Sequence, residues 1–169
     1  MDNYPYIFSD PESATFLAIF VVVMLVLALI IILPFYIIGS IGLMKIAQNK
    51  GIDDAWLAWI PFVNLYILGK IVDNFDIGSA NINKLELVLP LVAIASGGIA
   101  FIPIIGQMLS LAIFVLYIFT FIKLYKMYVP SQYVLYTVLS CLGLFSIMFF
   151  LIRNNMPEEV PSIGKPIFN

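Results

Sequence analysis

Four long apolar runs, separated by short polar breaks, set the pattern of this chain. The first, 14–38, follows Asp10-Pro11-Glu12. That triplet predicts a helix start: an acid at the cap, proline at the first helical position and a further acid in the first turn. From Ala14 to Ile46 the one charge is Lys45, and a helix needs only about 20 apolar residues to cross a bilayer. Pro34 predicts a kink, because proline removes a backbone donor and crowds the preceding turn. Past Gly39 and Gly42 the helix is expected to reach water near Gln48 and to stop at Lys50-Gly51.

The second run, 87–102, has Glu86 at its edge and contains Pro90 and Gly97-Gly98, read as breaks. An uncharged turn at Pro103–Gly106 leads to the third, 107–122. Lys123 and Lys126 close it, with Tyr125 and Tyr128 suited to an interfacial aromatic belt. Pro130-Ser131 opens the fourth, 132–152, and Arg153 closes it. Asn74–Lys84 reads as a polar loop rich in turn formers.

One segment fits neither pattern. Residues 54–73 hold both tryptophans, Trp56 and Trp59, with Pro61, Asn64, Tyr66 and Lys70 in an apolar setting. The segment is short and interrupted for a span, yet too apolar for a soluble loop. Asp53 can cap a short helix that carries both tryptophans, and Pro61 breaks or restarts it. At 100° per residue, Tyr66, Lys70 and Asp73 share a narrow face, with Asn64 almost opposite. If the helix ran on through Pro61, the Leu57 carbonyl would lack its donor, and the Asn64 amide is placed to supply one. The expected placement is interfacial or re-entrant, since indole rings favour headgroup depth and re-entrant backbone needs protein or water around it.

Composition supports a bilayer as solvent. Of 169 residues 63% are hydrophobic and 11% charged, against about 25% charged in a typical soluble domain. The expected fold is an all-α integral membrane protein. It has a four-helix transmembrane bundle with an interfacial or re-entrant helix after the first span. Residues 1–153 form a single domain, and 154–169 a flexible C-terminal tail. With the N-terminus outside, Lys45, Lys50, Lys70, Lys84, Lys123 and Lys126 fall in cytoplasmic loops, against Arg153 and Lys165 outside. Both termini are therefore expected to be extracytoplasmic in a cell membrane, with the 45–84 loop cytoplasmic.

The chemistry is sparse. Histidine is absent, which removes the commonest general base and imidazole metal ligation. The single cysteine, Cys141, cannot form an intrachain disulfide and reads as a packing residue. The centres of the apolar runs carry no ionisable group of the kind that proton relays use. Asp73 and Asp76 lie in a charged loop. No catalytic residue, metal site or cofactor is expected, and the charge balance of -2 argues against nucleic acid. Small residues (Ala93 and Gly97, Ser96 and Ala100, Thr137 and Cys141, with Ser140 and Gly143) suit close helix packing or a homo-oligomer face. Lys70 and Lys84 serve as topology determinants or as contacts for anionic lipid.

The pattern Trp56-x-x-x-Ile60-Pro61-x-x-Asn64-x-Tyr66, preceded by Gly51, resembles a family of small multi-pass membrane proteins of low-GC Gram-positive bacteria. Ile102-Pro103-Ile104 is similar to that family's second Ile-Pro segment, with Gly106 where asparagine is expected. The resemblance covers roughly 51–122 and implies no activity.

These features lead to the expectation of a non-enzymatic accessory or scaffold protein. Trp56, Trp59, Pro61, Asn64, Tyr66 and Lys70 would form its docking or lipid-facing surface. Its expected partners are the lipid bilayer and a membrane protein or a second copy. A small transporter or channel component is the alternative, motivated by Pro34, Pro90 and Gly97-Gly98, and a lipid-binding protein is the second.

Overall fold

The computed structural model describes residues 11–73, 75–77, 80–82, 84–99 and 105–158. The Asp10 cap, most of the turn before α4 and the tail from 159 lie outside the described residues. The chain divides into two compact units, Met1–Tyr36 and Ile37–Asn169. Helix α1 spans Pro11–Asn49 and supplies the described part of the first unit, where apolar side chains such as Phe16 and Ile30 are exposed. It runs through Pro34 as one helix.

At the other end α1 stops where expected. Ile52 N donates to Ala47 O and Gly51 N to Gln48 O, both at 3.0 Å, with Gly51 at φ +77°. This is a Schellman cap, in which a left-handed glycine lets two following amides satisfy the last helical carbonyls.

A 3-10 turn (Ala55–Trp59) and α2 (Val63–Val72) follow. The expected polar loop contains a short antiparallel hairpin, β1 (Phe75–Ile77) with β2 (Ala80–Ile82). Helix α3 covers Leu85–Ile99, α4 Ile105–Tyr128, α5 Tyr133–Leu139 and α6 Phe145–Ile152. Pro90 and Gly97-Gly98 sit inside α3 without breaking it. Three segments are long and apolar enough to cross a membrane: Glu12–Asn49, Gly106–Tyr128 and Tyr133–Ile152.

The path of the third departs from the single span expected at 132–152. Its first half runs antiparallel to α4. Lys126 lies over the Tyr133 ring, Tyr125 packs on Tyr136 with ring centroids 5.5 Å apart, and the Tyr125 hydroxyl meets Ser140 Oγ at 2.6 Å. Its second half runs parallel to α4. Phe149 packs on Phe121, and beyond α6 Asn155 Nδ2 donates to Tyr128 O and Glu158 N to Met127 O. The chain therefore turns back between α5 and α6, at Ser140–Leu144, where Gly143 takes φ +93°. A straight helix over these twenty residues would put its ends about 30 Å apart, yet both ends lie beside the end of α4.

The last helix also runs parallel to the end of α1. Gly39 lies against Ser146 and Gly42 against the Phe149–Phe150 backbone, and the Asn49 amide donates to Arg153 O. Helices α2 and α3 form an antiparallel pair in which Gly69 touches the backbone of Leu85 and Glu86. Ile46, Ile67, Ile71, Leu85, Leu89, Leu124 and Tyr125 are fully buried at the centre of the second unit. The tail expected from 154 as a loose arm is tied to α4 as far as Glu158.

Candidate functional site

The 54–73 segment dips away from the end of α1 and returns. Asp54 is level with Lys70, their charged groups 3.7 Å apart. Trp59 Nε1 reaches Met44 Sδ, one and a half turns inside α1, and Val63 then starts the way back. The proline break is resolved locally. Ile60 N donates to Leu57 O in 3-10 fashion, and Asn64 N to Ile60 O. The Asn64 side chain is thus not needed to satisfy Leu57, because the tighter turn takes its donor from the residue before Pro61. Phe62 enters α2 at φ +65° and ψ -36°, a sparsely populated conformation that costs a non-glycine residue about 1–3 kcal/mol.

Of the predicted residues, Trp56, Trp59 and Pro61 are exposed, joined by Phe62, while Ala55 and Ala58 turn inward. Lys70 Nζ lies 4.9 Å from the centroid of the Tyr66 ring. Contact with Tyr66 and, to a smaller degree, the charge of Asp54 hold the Lys70 pKa above its ordinary value. Asp73 does not join them. It lies past the helix end at φ +61° and acts on Lys50 instead. Asn64 stands apart from this cluster and faces a cavity.

Lys50 has a further role that its reading as a topology charge and as part of the α1 stop did not include. Its ammonium donates to the carbonyls of Lys70 and Ile71, two of the groups that a helix C-terminus leaves without partners. The position suits a cation at the negative end of a helix. Burial lowers its pKa, partly offset by Asp73. Lys50, Asp73, Lys123 and Glu158 also line a cleft of about 310 Å³ between the helix ends.

The Asn64 cavity holds about 350 Å³. Leu65 and Leu68 of α2, Phe114, Tyr117 and Phe121 of α4, and Phe145 and Phe149 of α6 form most of its wall. Leu43 closes one side, and the turn contributes Ser140, Cys141 and Gly143. Both α2 and α6 start at this cavity and end among the basic residues. Neither has a side-chain N-cap; at the start of α2 the backbone takes up the first amides instead, Asn64 N donating to Ile60 O and Leu65 N to Phe62 O, and α6 follows directly on the turn at Ser140–Leu144. Among the described residues no group of His, Cys, Asp and Glu is placed to hold a metal.

No family model, curated protein or solved structure matches the chain.

Proposed function

We propose that the chain is a non-enzymatic accessory protein of a cell membrane, with three spans and two re-entrant hairpins that dip from the cytoplasmic face. Helices α1 and α4 would be two of the spans, and the apolar run 87–102, shorter than those and containing most of α3, the third, with 54–73 and 133–152 as the dips. The charge distribution supports this arrangement. Lys45, Lys50, Lys70, Lys84, Lys123, Lys126 and Arg153 all lie at or near one end of the helices, as expected for the cytoplasmic side. A straight fourth span puts Arg153 on the opposite side. The resemblance carried by Trp56–Tyr66 supports an envelope location in a low-GC Gram-positive bacterium. Labelling of single cysteines in intact cells, in a Cys141→Ser background, tests the topology. Lys84→Cys and Asn154→Cys should both be protected from an impermeant maleimide; labelling of Asn154→Cys from outside restores the four-span arrangement.

The exposed aromatic turn Trp56, Trp59 and Phe62, beside the Lys70–Asp54 pair, carries the accessory reading. It offers another membrane protein an apolar contact at headgroup depth with a charged pair on its rim. A photo-crosslinker at Trp59 should give one discrete protein adduct that Lys70→Ala weakens. Adducts with lipid alone count against it.

A transport role is the second reading. It draws on the two half-helix N-termini that meet at one cavity, an arrangement secondary transporters use for substrates. Flux into liposomes holding the purified protein tests it; no flux for any solute class removes it.

A further inference from the structure

We infer that the cavity beside Asn64 is a binding site for one acyl chain of a membrane phospholipid. The inference uses the membrane placement proposed above but does not depend on a protein partner. The cavity, about 350 Å³, exceeds twice the roughly 150 Å³ of an engineered apolar cavity that stays dry and takes up benzene. Its lining is aromatic and aliphatic, and no described lining residue is charged. A buried water needs two to four polar partners. Here Ser140 already bonds Tyr125, which leaves Asn64 and the Tyr117 hydroxyl as the main polar groups for the whole volume. Water fills such a space poorly, and a vacancy leaves the lining without its dispersion contacts.

The mouth indicates which apolar molecule arrives. Phe114 and Phe145 line the cavity and are also 48% and 43% exposed. Leu111 and Leu142 next to them are more exposed still. The opening therefore lies on an apolar outer wall. Phe114, Tyr117 and Phe121 occupy the middle of α4, so this wall sits at the depth of lipid tails. With no charge inside, the headgroup stays outside and the chain alone enters. The hairpin turn at Gly143 makes the space, because α5 and α6 part there instead of continuing as one cylinder.

The test is photo-labelling of the full chain in phosphatidylcholine–phosphatidylglycerol vesicles containing a phospholipid with a diazirine at mid-chain. Adduct sites are mapped by peptide mass spectrometry. Adducts are expected on Leu65, Phe114, Cys141 and Phe145, together with adducts on outward residues such as Leu111 and Leu142. Leu65→Trp, and separately Cys141→Phe, should cut the cavity adducts about tenfold and leave the outward ones unchanged, which also reports that the variants remain folded and inserted. Adducts confined to outward residues overturn the inference. So do cavity adducts that survive both fillings, or a cavity that takes up only an isoprenoid probe.

Discussion

The contact between α2 and α3 at Gly69 gives a prediction whose sign opposes the local expectation. A Cβ at Gly69 would lie 2.3 Å from Glu86 Cα, 2.5 Å from Glu86 N and 2.7 Å from Leu85 C. All three are backbone atoms of α3, so no side chain can swing aside. Ordinary contact begins near 3.4 Å, and the helices must part by about 1 Å to admit a methyl group. A gap of 0.5–1 Å forfeits roughly a quarter to a half of a contact's dispersion energy. The residues on this seam, Leu68, Val72, Leu85 and Leu89, are fully or almost fully buried. Overpacking costs about 1–3 kcal/mol, and a clash with three backbone atoms under 3.0 Å belongs in the upper part of that range, about 2–3 kcal/mol. Against it stands the better helix propensity of alanine, about 1 kcal/mol. Gly69→Ala should therefore lose about 1–2 kcal/mol, lowering the unfolding midpoint by roughly 2–8 °C for a chain of this size. Thermal unfolding in detergent micelles, followed by near-UV circular dichroism, reads this directly. A midpoint equal to or above the native one refutes the close approach of the two helices.

Three further outcomes are expected. In NMR of the 13C-dimethylated protein, Lys50 should titrate below 10.5 and Lys70 above it. The Lys50 contribution to stability accordingly grows as pH rises from its folded pKa toward 10.5, because the unfolded chain then binds the extra proton. The Lys70 contribution is complete below 10.5 and is lost as pH passes its raised folded value. Phe62→Gly should raise stability by up to about 1 kcal/mol by relieving its positive φ; a clear loss in the same unfolding assay refutes that strain. Tyr125→Phe leaves Ser140 Oγ buried without its partner and should cost about 1–2 kcal/mol. Adding Ser140→Ala should recover part of this, and strict additivity in the double-mutant cycle refutes the pairing.

The sequence made some of this legible through local chemistry. The end of α1 at Gly51 was readable because a glycine after a polar residue is a local stop signal. The position of Asn64 opposite Lys70 followed from helical periodicity alone. The reversal at Gly143 was not readable, because 132–152 is apolar on every side and such a run looks alike whether it crosses or doubles back. Two hints were present: a glycine near the middle of the run, and Arg153, with Lys165 one of two cations at odds with the lysine count. The capping role of Lys50 was out of reach, since it joins residues twenty apart whose meeting depends on the dip between them. Pro90 misled as a break, because a helix held by its neighbours or by a uniform apolar medium tolerates one missing hydrogen bond.

The break at Gly143 also has a mechanical consequence. Helix α5 is keyed to α4 through Tyr125, Tyr136 and Ser140, whereas α6 is keyed both to α4, through Phe149 on Phe121, and to the end of α1, through Gly39, Gly42 and the Asn49–Arg153 bond. A continuous helix would transmit torque from one set of contacts to the other. Here the left-handed glycine acts as a swivel, so each arm keeps its own rotational setting. A substitution that twists α5 on α4 should leave the seat of α6 on α1 undisturbed.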